Sequence, residues 1–221
     1  IHGKLDPLDR MFSIQSFDVN TNTFAGYLDG DKHTYLGAMW ISEPLTGLGE
    51  GNLLSIQAVL ATAYPPGTII QFGMLSSPDV DETVIDYLDK KDRSQKDILS
   101  ELITRSSDLI RSGINTPIIP ASGVLLSRKR VVLTIKCRYD DDVKANLLKF
   151  NELAYKLESS LRANSLPIVR SGANEYLMIS RLITHIYDKP DNRYDEKLAL
   201  NEQVFYSGDE IVVKKNYVEF N

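Results

Sequence analysis

RKRVVLTIKCRY, Arg128–Tyr139, is the stretch that decides the fold. Val131, Leu133, Ile135, Cys137 and Tyr139 share one parity; Val132, Thr134, Lys136 and Arg138 share the other. Side chains leave a pleated strand on alternate sides, so this period of two predicts a strand. One face meets a core and the other is wet, which favours antiparallel neighbours.

Working outward toward the C-terminus, Asp140, Asp141 and Asp142 read as the cap of the longest helix. Its Val143, Leu147, Phe150, Ala154, Leu157 and Leu161 recur at alternating steps of four and three. That seam is expected to pack on the sheet; pairing with a second subunit is the alternative. A short extended piece over 166–170 and a helix over 173–187, through Tyr176, Ile179, Ile183 and Ile186, come next. Residues 188–202 read as an exposed polar segment with at most one helical turn. QVFYS and EIVVKKNYV read as two short closing strands.

Toward the N-terminus, residues 1–12 read as a loose lead. SIQSF and TFAGYL form two strands around the turn DVNTN. HTYLGAMWIS is apolar on both faces and therefore expected in the middle of the sheet. A helix over 50–64 is predicted from Leu53, Ile56, Leu60 and Ala63. Pro65-Pro66-Gly67 ends it, and a strand over 68–76 shows Ile70, Phe72 and Met74 on one face. Ser77-Pro78 is expected to open a helix reaching about Lys91. A further helix spans 95–111, with Ile98, Leu102 and Leu109 on one side and Leu99, Ile103 and Ile110 beside them; Gly113 suits its C-cap. GINTPIIPASG is a linker. The mixed order and wet-faced strands predict a single α+β domain over 1–221, with helices packed on a mostly antiparallel mixed sheet.

The totals exclude several classes. At 221 residues and 43% hydrophobic, the chain can bury a real core. A net charge of −5 does not suit a general nucleic-acid binder, so no direct nucleic-acid partner is expected. The single cysteine, Cys137, forms no internal disulfide and fits a reducing compartment. No apolar run approaches the ~18–20 residues that span a bilayer, and no signal peptide is evident. A soluble, cytosolic chain is expected. Ile1 and the strand-like last residues read as a piece cut from something longer, or as a processed protein.

Strand, small-residue loop and helix start, as in PPGTIIQFGMLSSPDV, is how many phosphate sites are built. This stretch lacks the glycines and the lysine of G-x-x-x-x-G-K-[ST], which the chain nowhere contains. Its Asp79, Asp81 and Glu82 favour the positive helix end themselves and would repel a phosphate. GLGEGN, residues 47–52, has Asn52 for the last glycine of a dinucleotide fingerprint and Glu50 where pyrophosphate would sit. His2, His33 and His185 have no metal-ligand company. Cys137 lies on the core face, where a thiol is inert, and G-x-S-x-G is absent. No catalytic, cofactor-binding or metal-binding residue is named.

Two surface features remain. Arg128, Lys129, Arg130, Lys136 and Arg138 make one strand and its lead-in basic; this is a solvated face, or one that meets an acidic partner or anionic lipid. Trp40, the only tryptophan, sits beside Met39 in the doubly apolar strand; it is core, or a contact with a partner.

The run FDVNTNTFAGYLDGDKHTYLGAMWISEPLTGLGEGNLLSIQAVLATAYPPGTIIQFGMLSSPDVDETVIDYL resembles the start of TraC-type ATPases of conjugative type IV secretion systems. The features that carry the likeness are Leu45-Thr46-Gly47, the turn from Tyr64 to Gly67, and Ser77-Pro78. Further along, the helix with Arg105 and Arg111, the strand after S-R-K-R and the long leucine-bearing helix continue it. These are structural positions, so no functional residue carries over. The resemblance implies the N-terminal part of a cytoplasmic ATPase, peripheral to the bacterial inner membrane. ATP and Mg would then belong to a C-terminal RecA-like domain absent from this chain. It implies a non-catalytic docking and assembly role, inner-membrane components of the secretion channel as partners, and a homo-oligomer. The alternative is a free-standing α+β small-molecule binding module or enzyme.

Overall fold

The computed structural model describes residues 12–27, 34–45, 49–77, 80, 84, 97–139, 143–163, 166–184, 193–205, 211–213 and 218–220. The lead over 1–11, the aspartate cap at 140–142, the three histidines and nearly all of the helix expected after Ser77 lie outside these residues. Of that last helix, Val80 and Val84 are described; both are buried, and Val84 N donates to Val80 O.

The chain is α+β; its described residues form a six-stranded, mostly antiparallel sheet and four α-helices. β1 (Ile14–Asp18) and β2 (Thr23–Tyr27) form a hairpin, paired from Ile14↔Gly26 to Asp18↔Thr23 with an irregularity between Ile14 and Ser16. The turn is held by Asp18, whose carboxylate accepts from Asn20 N at 3.0 Å and Thr21 Oγ1 at 2.7 Å. Asn22 there takes φ 48°, a conformation asparagine tolerates. β3 (Thr34–Ser42) is central: β2 pairs with its first half, and the whole strand lies against β5 (Arg128–Tyr139), from Thr34↔Tyr139 to Ile41↔Val132. β6 (Ile168–Ser171) pairs with the second half, from Met39↔Ser171 to Ser42↔Ile168. β4 (Ile69–Ser77) lies outside β5. β7 (Ile211–Val213) and β8 (Val218–Phe220) make a separate hairpin.

The chain divides into two compact units. The first holds Ile1–Ser42, Leu48–Phe72 and Val132–Asn221. On one face of its sheet, Leu36, Ala38 and Trp40 stand opposite Cys137, Ile135 and Leu133, all buried. α3 (Val143–Ala163) covers this face with the seam read from its sequence: Phe150, Ala154, Leu157 and Leu161 are buried, and the Phe150 ring meets Tyr139 edge-on at 6.3 Å. α1 (Glu50–Leu60) lies against α3. On the opposite face, Phe24, Met39 and Ile41 pack with Ala173 and Leu177 of α4 (Ala173–Thr184) and with Leu200 and Val204. The turn at Gly67 takes φ 78°, which only glycine adopts freely.

The second unit holds Glu43–Gly47 and Gly73–Val131. α2 (Asp97–Ser112) turns Ser107 inward with Ile103, Ser106 and Ile110 half-buried. Gly113 follows without a left-handed φ; glycine is needed there because a Cβ would sit 2.7 Å from a Leu126 methyl. Leu126 N closes the segment on Gly113 O at 2.7 Å.

Several expected faces turn out differently. α1 stops at Leu60, and Leu53 and Leu60 are exposed while Val59 is buried. Apolar residues surround this helix, so packing against α3, not periodicity, selects the buried side. In β4, Ile70 and Phe72 are half-buried as expected, but Met74 is 67% exposed and Leu75 takes the inner place. In α4 the fully buried residues are Ala173, Leu177, Ser180 and Arg181; Tyr176 and Ile179 pack half-buried against the core as expected, and Ile183 is exposed. The segment expected to be exposed over 188–202 ends in core: Leu200 is buried and its N donates to Gln15 O at 2.8 Å. Of the expected strand QVFYS, Gln203 and Val204 lie instead in a 3-10 turn, Asn201–Val204. Gln203 explains it. Its amide accepts from Asp195 N and donates to Asp195 O and Leu198 O, satisfying a polar loop so that Leu200 and Val204 can turn inward. EIVVKKNYV divides between β7 and β8 instead of forming one strand.

Candidate functional site

The alternation of β5 holds from Val131 to Arg138, but the face expected to be wet is half-buried, with Val132 packed against the core, and Tyr139 is half-buried as well. Val131, Leu133, Ile135 and Cys137 are buried, and Val132, Thr134, Lys136 and Arg138 are half-buried. The basic residues of this strand are not equivalent. Lys129 is exposed, Arg128 and Arg130 are half-buried, and these three lie in the second unit. Arg138 packs by Gly67, a Cβ on which would lie 3.6 Å from the arginine Cβ.

Lys136 stands apart. Its Nζ lies 3.2 Å from Ser13 Oγ and 5.3 Å over the Tyr35 ring. Burial pushes its pKa below the ordinary lysine value. It borders a cavity of about 390 Å³ in the first unit. The sheet supplies the floor through Phe24, Gly37, Met39 and Thr134, and α4 supplies a wall through Tyr176, Ile179 and Ile183.

Trp40 is fully buried on the opposite face, under α3. Its Nε1 donates to Glu158 Oε2 at 3.1 Å, and Arg162 holds the other carboxylate oxygen at 2.9 Å. The Arg170 guanidinium lies 6.0 Å from the Trp40 ring and donates to Asn151 Oδ1 and Thr23 Oγ1. Burial lowers the Arg170 pKa, and the Glu158 charge opposes that shift. This network satisfies the indole N–H and ties β2, β6 and α3 together. Of the seven residues singled out in the sequence, the structure brings Met39 and Lys136 to one cavity and leaves Trp40 in the core.

The cavity has no motif in the sequence. The available signal was two glycines, Gly26 and Gly37, inside strands, where glycine marks a close approach or a ligand. Cys137 has the buried place expected of it. Its Sγ lies 3.4 Å from Thr68 Oγ1, and burial raises its pKa, so the thiol is unreactive. Among the described residues, no group of three or more His, Cys, Asp or Glu converges to hold a metal ion.

The second unit presents large apolar side chains to solvent. Leu102 (55% exposed) and Leu109 (54%) lie on the outer side of α2, and Ile118, Ile119, Val124 and Leu125 on the segment after it are also exposed. With Met74, that makes seven exposed large apolar side chains among the described residues of this unit.

The chain is an α+β domain whose described residues combine a buried aromatic network with exposed apolar side chains. The profile of the TraC protein family, of F-type type IV secretion and conjugation, matches residues 11–221, and the chain belongs to that family. Neither the curated proteins nor the solved structures contain a match.

Proposed function

We propose that this chain is a non-catalytic docking and assembly domain of a conjugative type IV secretion ATPase, one that meets inner-membrane components of the channel and helps the ATPase oligomerise. ATP and Mg would be bound by a RecA-like domain outside this sequence. The observation that carries the reading is the exposed apolar surface of the second unit in a chain of the TraC family. The absence of G-x-x-x-x-G-K-[ST] from these 221 residues agrees with it. Among the described residues no helix is long and apolar enough to cross a membrane, so attachment to the membrane is assigned to protein contacts.

The test uses the whole chain with Leu102→Asp and Leu109→Asp together. Both side chains face solvent, so folding should change by less than ~1 kcal/mol. Co-sedimentation with inner-membrane vesicles that carry the secretion apparatus is measured for each protein. The unmodified chain should sediment with them, and the double variant should lose about tenfold in affinity. Equal association by two folded proteins, or ATP turnover by the chain above a mock purification, sinks the proposal.

A further inference from the structure

The cavity beside Lys136 has a composition that packing alone does not explain. Its walls are mainly apolar: Phe12, Ile14, Val132 and Ile179 among them. Gly37 keeps the sheet floor low where a side chain would otherwise enter the space, while Gly26 lets the backbone at Ser13 lie close. On α4, the regular row of Tyr176, Ile179 and Ile183 borders this open volume while the helix buries its other row against the sheet. Such a row normally marks the most tightly packed side of a helix. Here Tyr176 and Ile179 pack on the core with one side and line the cavity with the other, and Ile183 remains 64% exposed.

Into this apolar space comes one cation. Lys136 Nζ has three donors. Ser13 Oγ takes one, and no carboxylate of the described residues pairs with it. Withdrawing an ammonium from water is costly unless an anion meets it. An anionic head would complement this half-buried ammonium, and an apolar tail would complement the walls. The volume holds about a dozen water-sized groups, enough for a carboxylate and a chain of roughly eight to ten carbons.

We propose that this cavity binds an amphipathic monocarboxylate of medium-chain fatty-acid type, with its carboxylate on Lys136 Nζ and its chain between the sheet and α4. Thr134 also lines the cavity, its hydroxyl donating to Gln71 Oε1 at 3.2 Å, and so does Ser180. The inference does not depend on the family or on the docking role, since it rests on the first unit alone.

Calorimetric titration of the 221-residue chain with decanoate, below its micelle-forming range, tests this. Decanol is the uncharged control. Decanoate should bind saturably at one site, and decanol about tenfold more weakly for want of the charged contact. Lys136→Met keeps an apolar stem, so it should bind the two ligands equally. Ile179→Trp fills the cavity and should bind neither, with its folding verified by circular dichroism. No saturable decanoate binding, equal binding of decanol by the unmodified chain, or decanoate binding undiminished in either folded variant overturns the proposal.

Discussion

Gly26 is the position at which one atom decides most. It pairs with Ile14 on one side and Tyr35 on the other. A Cβ there would lie 2.1 Å from the Ser13 carbonyl oxygen and 3.0 Å from Ile14 Cα. Both are backbone atoms, so no flexible side chain can give way. Gly26→Ala must push the start of β1 off the sheet, and Phe12 and Ser13, two walls of the cavity, go with it. We expect a loss of about 2–3 kcal/mol, in the upper range for overpacking. It should appear as a lower urea midpoint with an unchanged m-value. A midpoint equal to that of the parent chain would show that β1 adapts freely. The glycine was visible in TFAGYL, but the reason for it was not, because the register that brings Ser13 across it comes from the bulge between Ile14 and Ser16.

At the scale of elements, α3 divides the chain's side chains most sharply. Phe150 is fully buried against the sheet, while Tyr155, five residues on, is 71% exposed. Phe150→Ala should cost about 3–5 kcal/mol through lost burial and a cavity. Tyr155→Ala should stay within about 0.5 kcal/mol. Chemical unfolding of both checks the pair, and a large effect at Tyr155 would mean that its ring packs within the fold and is not exposed as the structure has it. Elements with a strict period and one wet side were legible from sequence: β5 and α3 show the pattern that they bury. Elements apolar all round were not. In α1 the buried row is chosen by what lies opposite, so Val59 turns inward while Leu60 stays out; in the charged, amphipathic α2 the apolar rows were legible, but not that Ile103 rather than Leu102 turns inward. The 3-10 turn after Leu200 was hidden for another reason. It depends on Gln203 satisfying a loop eight residues away, which no local propensity records. The cavity was illegible too. Lys136 looked like any cation on a wet face until α4 was seen to border the same space.

Across the whole molecule, the buried phenols set the alkaline limit of stability. Burial pushes Tyr176 from its ordinary 10.0 up to about 12, and it raises Tyr64, Tyr139 and Tyr194 as well. A phenol is neutral when protonated, so between these values the folded chain keeps protons that the unfolded chain gives up. Their contribution is whole below pH 10 and falls as pH rises toward 12. Lys136 acts with the opposite sign. Its folded pKa is depressed, so the unfolded chain binds more protons, and stability from this group rises with pH until the ordinary 10.5 is reached. Together they predict a modest gain in stability on the alkaline side of neutrality, followed by a steep fall. Urea unfolding at a series of pH values, read beside tyrosinate absorbance, measures both limbs. Lys136→Met should flatten the rise and leave the fall in place; Tyr176→Phe should soften the fall and leave the rise. Tyrosinate signal from all the phenols near pH 10, with the fold intact, would mean that solvent reaches Tyr176, and the wall between α4 and the sheet would have to be more open than the structure has it.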